Sequence, residues 1–197
     1  MSGQVRVVKL GGSLLEWPEL DARLREWLAL EPPAVHVFVV GGGALVEKLR
    51  ELDRAHAFPP ETAHWLAVRA MSLTAGALAR WLPDWTLVES LDALRLSGSQ
   101  PPQIFDVDRF LRADQATPDA LPASWEVTSD SIAARLATAL GAGELVLLKS
   151  ALPNGSVGCE AWALSGYVDA YFPRAAAQLR VRAVDLRSDG FRQVLSA

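Results

Sequence analysis

Residues 5–15, VRVVKLGGSLL, decide how the rest of this chain is read. Val5 to Lys9 is a short β-branched run, which predicts a strand. Gly11-Gly12-Ser13 follows with no spacer. Glycines at that point let backbone N–H groups approach an anion with no Cβ in the way, and Lys9 adds a point charge beside them.

Working outward, the same arrangement returns at 35–43, VHVFVVGGG. Its near-continuous apolar run is the mark of a parallel strand covered on both faces. His36 lies inside that run and reads as a packed or edge histidine rather than a catalytic one. A third signal is TSDSIAARLATAL at 128–140, in which a hydroxyl residue caps a helix and Asp130 sits in its first turn. The strand ELVLLK follows at 144–149 and ends in Lys149. Ligands of open parallel sheets bind where strands end and loops lead into helices. Lys9, Gly11, Gly12, Ser13, Gly42, Gly43 and Lys149 all fall at such positions, and Asp130 opens a helix beside them.

The totals limit the alternatives. The chain has 197 residues, half of them hydrophobic, which is enough for a sizeable core and argues against disorder. A net charge of −4 gives no general attraction to nucleic acid, so any anion site must be local. Cys159 is alone, which excludes an internal disulfide and suits a reducing compartment. No apolar run reaches transmembrane length and no signal core precedes the first strand, so a cytoplasmic protein is expected, with no membrane partner. The seven tryptophans are expected as core or interface anchors.

Between these motifs, Trp17, Leu20, Leu24, Trp27 and Leu28 have helical spacing, with Pro18 near the first turn. Leu45, Leu49 and Leu52 give a second helix after Gly43. Residues 61–82 form a long third helix with few charges, expected to be buried on more than one side and to wall a pocket or meet a second copy. His64 and Arg69 are its polar candidates for substrate contact. Strands are expected at Trp85–Val88 and Gln103–Val107, with a short helix around Leu91–Leu96 and a Ser/Gly/Pro loop at 97–102. A polar loop at 113–124 is long enough for a mobile lid. Residues 150–166 read as a loop or hairpin, Pro173 and AAAQL as a helix, Val181–Leu186 as a last strand and DGFRQVLSA as a closing helix. Asp106, Asp108 and Asp169 read as solvated loop acids rather than metal ligands. The alternation predicts an α/β fold: a three-layer αβα sandwich on a mainly parallel sheet.

Neither glycine loop has P-loop or dinucleotide spacing. Taken together, K-L-G-G-S at the start, V-V-G-G-G about 30 residues on, and T-S-D-S-I-A-A-R-L-A before V-L-L-K-S resemble the amino acid kinase superfamily. That family includes acetylglutamate, aspartate, uridylate and isopentenyl phosphate kinases. The resemblance implies a single domain over 1–197, with an acceptor-side lobe at 1–140 and a shortened nucleotide-side lobe at 141–197. It implies ATP and Mg²⁺ as cofactors. Lys9 would be the lysine on the transferred phosphoryl group and Asp130 the acid that organises the lysines. Gly11, Gly12, Ser13, Lys149 and Ser150 would lie on the donor side, and Gly42 and Gly43 would hold the acceptor.

The chain departs from the family pattern in two places. The loop Ser150–Gly155 lacks the acid of a T-D-V-D-G turn, and nothing at 156–180 supplies the lysine of G-G-M-x-x-K. Arg174 is the nearest cation. Within the family, H-W-L-A-V-R-A-M, T-S-D-S and V-D-A-Y-F-P are similar to small kinases of methanofuran-type cofactor biosynthesis, which phosphorylate an aminomethylfuran phosphate. A furan would suit a tryptophan such as Trp65. The resemblance therefore implies a phosphate substrate, and the long apolar helix at 61–82 adds the expectation of a homo-oligomer. A non-catalytic anion-binding protein and a carboxylate kinase stand as alternatives.

Overall fold

The structure, a computed structural model, describes residues 4–96, 100–155 and 157–196. Strand β1 (Val5–Leu10) leads through a short 3₁₀ turn at Gly12–Leu14 into helix α1 (Leu20–Leu30). Strand β2 (Val35–Val40), helix α2 (Gly43–His56) and the long helix α3 (Pro60–Trp81) follow. Then come β3 (Thr86–Val88), β4 (Gln103–Phe105), α4 (Asp108–Asp114) and α5 (Ser129–Ala139). The chain ends with β5 (Glu144–Lys149), α6 (Cys159–Leu164), α7 (Phe172–Ala175), β6 (Val181–Asp185) and β7 (Gln193–Leu195). The seven strands form one sheet in the order β3-β4-β2-β1-β5-β6-β7, parallel except for β7. The expected sandwich on a mainly parallel sheet is the architecture found.

Period-two alternation along the central strands builds two cores, one on each face. Val7, Val37, Val39, Leu145 and Leu147 face α5, α6 and α7, while Val8, Leu10, Phe38, Val146 and Leu148 face α1. Helix α3 contributes Val68 and Met71 to the first core and Ala75 and Leu78 to the second. Its wide apolar surface is therefore used on two sides. Trp27, Trp85 and Trp162 are buried as anchors, but Trp81 is exposed.

Several local expectations give way. The tail DGFRQVLSA forms no helix. Asp189-Gly190 turns the chain, and β7 returns antiparallel on β6 with Val194 opposite Ala183. A D-G pair between apolar segments favours a hairpin turn. Helix α6 lies where a loop or hairpin was expected, because Trp162 is fully buried and carries the turn inward. Helix α4 was not expected, and its start is held by Asp106 Oδ1, which accepts from Asp108 N at 3.0 Å. The stretch at 113–124 is anchored rather than free: Asp114 pairs with Arg135 at 2.6 Å, and Leu121 is buried. Helix α1 begins at Leu20, leaving Trp17 and Pro18 in the turn before it. A single 3₁₀ turn, Leu91–Ala93, replaces the short helix near Leu96, and α7 stops at Ala175 instead of continuing through AAAQL. Of the loop expected at 97–102, residues 97–99 lie outside the described residues. No helix among the described residues is long and apolar enough to cross a membrane.

Candidate active site

Strand geometry places the two lysines. Val7 and Lys9 share one face of β1, and Leu147 and Lys149 share that same face of the neighbouring β5, the face covered by α5. Both lysines reach the end of the sheet where these strands stop. Thr128 caps α5, its hydroxyl accepting from Asp130 N at 3.4 Å, and this sets Asp130 in the first turn above the strand ends. Asp130 thus lies between the lysines. Lys9 Nζ is 2.9 Å from Oδ1, and Lys149 Nζ donates to Oδ2 at 2.9 Å. Lys9 and Asp130 thus form a buried ion pair.

All three groups are largely buried: Lys9 is 6 % exposed and Asp130 4 %. Burial opposes the Asp130 charge, but the two ammonium groups outweigh it and hold its carboxyl below the ordinary value. Burial pushes the Lys149 ammonium down to about 8, with the Asp130 charge opposing that fall and Lys9 adding to it. Lys149 also donates to the carbonyl of Tyr167, whose ring centre is 4.3 Å from Nζ. Arg174, the expected stand-in for a second cation, is elsewhere, stacked over Tyr171. Lys149 is the second cation in contact with Asp130.

The glycine loops meet beside this array. Gly11 N donates to Leu148 O and Gly41 N to Leu10 O, both at 2.9 Å, so each loop continues the sheet by one bond. A Cβ on Gly12 would sit 2.3 Å from Gly43 N, and Gly43 has φ +55°; only glycine at both positions allows this approach. Ser13 Oγ and Ser150 Oγ stand 3.5 Å apart, which joins the turns after β1 and β5.

A cavity of about 440 Å³ opens from Gly12, Ser13 and Gly41–Gly43 between α2, α3 and the 125–132 segment. Its two long walls run antiparallel. At the inner end, Thr74 Oγ1 of α3 donates to Gly41 O at 3.1 Å, and Met71 lies beside Gly42. At the outer end, His64 Nδ1 is 3.4 Å from Ser124 O, and the Arg50 guanidinium lies 4.4 Å over the Trp125 ring. Trp125 is fixed by donating from Nε1 to Asp53 Oδ2 at 2.7 Å. The helical rise from Gly43 to Arg50 makes the pocket roughly 10 Å long. Between its ends Val46, Ala67, Val68, Val127 and Ile132 give apolar lining, and Glu16, Glu47, Thr128 and Ser129 add polar groups to the wall. Burial lowers the His64 imidazole below its ordinary value, which favours the neutral form.

The structure thus gathers Lys9, Gly11, Gly12, Ser13, Asp130, Lys149 and Ser150 at one rim, with Gly42, Gly43 and His64 in the adjoining cavity. Arg69 does not join them. On α3 it lies five residues, about 140°, around from His64, so it is exposed and faces a groove with Ser72, Asp106 and Arg109. Trp65 does not line the cavity either and is covered by the Arg112 guanidinium at 4.3 Å; Trp125 is the tryptophan in the wall. Sequence reasoning also missed Asp169. Its carboxylate accepts from the N–H and hydroxyl of both Thr128 and Ser131 at 2.5–3.1 Å. Its partners are about 40 residues away in sequence, and no local pattern pointed to them.

Lys9, Lys149 and the glycine turns suit a polyphosphate, combining buried cations with closely approaching backbone. Among the described residues no group of three or more His, Cys, Asp or Glu side chains is placed to hold a metal ion, and Asp130 is committed to the lysines. Any Mg²⁺ would accordingly be held chiefly by the phosphates of a nucleotide and by water.

By sequence alone, no family model and no curated protein matches the chain. Solved structures do match. UMP kinase from Ureaplasma parvum superposes with a TM-score of 0.62 at 15% identity, covering 97% of this chain and 93% of that one. Uridylate kinase from Archaeoglobus fulgidus gives 0.60 at 17% identity, covering 90% and 88%. Aspartate kinase from Synechocystis gives 0.60 at 15% identity, covering 98% of this chain and 40% of the longer enzyme. The chain therefore has the amino acid kinase fold shared by these uridylate and aspartate kinases.

Proposed function

We propose that this protein is an ATP-dependent small-molecule kinase that transfers the γ-phosphoryl group to a phosphate acceptor. The observation that carries the reading is the Lys9–Asp130–Lys149 array at the rim where the two glycine turns touch. A phosphoryl-transfer site needs positioning and charge stabilisation more than covalent chemistry. Lys9 and Lys149 would engage the equatorial oxygens of the transferred group, and Asp130 holds both ammonium groups in place. A lysine ammonium has three N–H donors, and the single Lys9–Asp130 contact leaves the others for an anion. Bound ATP supplies the phosphoryl group and brings Mg²⁺ on its phosphates. The acceptor oxygen forms the new P–O bond as the bond to the β-phosphate oxygen breaks and ADP leaves. A phosphomonoester acceptor is already ionised near neutral pH, so no general base is required.

Gly42, Gly43 and His64 line the acceptor cavity in this reading, while Gly11–Ser13, Lys149 and Ser150 face the donor. Residues 141–197 act as the shortened nucleotide-side lobe of a single cytoplasmic domain. The sequence resemblance favours an aminomethylfuran phosphate of methanofuran-type cofactor biosynthesis as the acceptor, and a cavity walled by Trp125 suits a small ring. The exposed Leu73 and Trp81 on α3 suit a homo-oligomer. The loop Ser150–Gly155, which lacks an acid, favours one second reading, a non-catalytic anion-binding protein.

The deciding experiment is a kinase screen with Mg·ATP against phosphomonoesters, the furan phosphate included, alongside calorimetric titration of Mg·ATP. A diphosphate product is expected. Absence of nucleotide binding at millimolar concentration would move the protein to the second reading. An acyl phosphate trapped by hydroxylamine would make it a carboxylate kinase.

A further inference from the structure

We propose that the short segment from Tyr167 to Tyr171 is a strap that positions the Lys9–Asp130–Lys149 array, with Asp169 as its fastening residue. The proposal rests on the kinase reading for its consequence in catalysis. Its geometry stands apart from that reading.

Asp169 makes more bonds than a helix cap requires. Oδ2 accepts from Thr128 N at 3.1 Å, Thr128 Oγ1 at 2.7 Å and Ser131 N at 3.1 Å. Oδ1 accepts from Ser131 Oγ at 2.5 Å and Tyr171 N at 3.1 Å. Thr128 already caps α5, so a second cap would be redundant if capping were the only task. Thr128 and Ser131 lie on either side of Asp130 in the chain. Bonds to both fix the rotation of the first helical turn, and with it the placement of the Asp130 carboxylate between its lysines.

The same segment grips the other half of the array. The Tyr167 carbonyl accepts from Lys149 Nζ, and the Tyr167 ring lies against that ammonium. Val168 and Phe172, on either side of Asp169, are buried in the core and give the strap a rigid footing. A stretch of five residues thus ties the helix bearing the carboxylate to the strand bearing the lysine. Asp169 is a positioning residue: it acts through Thr128 and Ser131 on Asp130.

The chain has only three lysines, Lys9, Lys48 and Lys149, and Lys48 is exposed on α2, which provides an internal reference. The test is trace acetylation of the full chain at about pH 7, where Lys149 is still charged and paired with Asp130, with mass-spectrometric rates for each lysine. In Asp169→Ala the Lys149 rate relative to Lys48 should rise roughly tenfold, the scale set by losing one buried charge-assisted contact. Asp169→Asn, which keeps one acceptor oxygen, should fall between Asp169→Ala and the parent, and it serves as the test variant if Asp169→Ala does not fold. An unchanged Lys149-to-Lys48 ratio in a folded variant overturns the strap. Transfer assays then supply the consequence: kcat should drop about 10²-fold through misplacement of the array, with KM for the acceptor held. A parent protein that moves no phosphoryl group defeats the kinase reading while the labelling result still decides the strap. An active parent whose variants lose only thermal stability, with kcat intact, overturns the positioning role.

Discussion

Lys9, Asp130 and Lys149 carry opposite charges into a largely buried site, where the two ammonium groups hold the Asp130 carboxyl ionised against the cost of burial. Replacing Lys9 with Met keeps the stem and removes the cation. In the proposed kinase this should lower kcat by about 10²- to 10³-fold, while Lys149 still pairs with Asp130 and circular dichroism stays unchanged; Lys9→Met with parental turnover would refute the assignment. The pH dependence follows from Lys149. Burial first, against the opposing Asp130 charge, holds its ammonium near 8, and transfer needs the charged form. Turnover should therefore fall as pH rises through about 8. Asp130→Asn removes the group that supports the charge, so a pH–rate profile of that variant should show the fall at lower pH. The two lysines and Asp130 were legible in the sequence because each stands at a strand end or helix start. Arg69 was misread because polarity on a helix says nothing of which face meets a cavity.

Among the elements, the turns after β1 and β2 act as a pair. A Cβ at position 12 would meet the backbone of Gly43 at 2.3 Å, and neither turn can yield without leaving its strand end. Gly12→Ala should cost about 1–3 kcal/mol by overpacking and impair the rim, measured by chemical denaturation together with activity. At the opposite end of the sheet, β1, β5 and β6 carry a buried ionic network. Arg6 meets Glu144 at 2.7 Å and Glu31 at 3.1 Å, and Arg182 meets Glu31 at 2.6 Å and Glu144 at 3.1 Å. His36 of β2 lies 3.0 Å from Arg6 Nη1 and packs edge-on to Trp27. Burial, then Arg6, pushes its imidazole down from 6.5 to about 4. As pH falls through that window, the unfolded chain takes up a proton that the folded chain refuses. Stability contributed by neutral His36 should be lost progressively from about pH 6.5 to 4, by at most on the order of 3 kcal/mol. Unfolding free energies across that range should show the slope in the parent and a flatter curve in His36→Gln. The sequence placed His36 in a packed strand. It could not show this network, whose members come from elements as far apart as residues 6 and 182.

For the molecule as a whole, α3 spans both cores yet leaves Leu73 and Trp81 exposed at 67 % and 42 %. They lie eight residues apart, about two turns along the helix and roughly 80° around it, near the sheet edge formed by β3. If copies associate there, Leu73→Glu combined with Trp81→Glu should shift sedimentation to the monomer; unchanged sedimentation would remove α3 from the interface. What the sequence determined by itself were the features that act locally. Apolar runs made the parallel strands, glycines made the turns at their ends, and Thr128 capped the helix of Asp130, because strand, turn and cap chemistry operate over a few residues. Tertiary structure alone decided where those ends converge. It brought Lys149 to Asp130 as the second cation, turned Arg69 outward, made Trp125 the aromatic wall and drew Asp169 from an apparent loop acid onto α5. These outcomes depend on sheet register and helix rotation, which join residues far apart in the chain and leave no local periodicity to read.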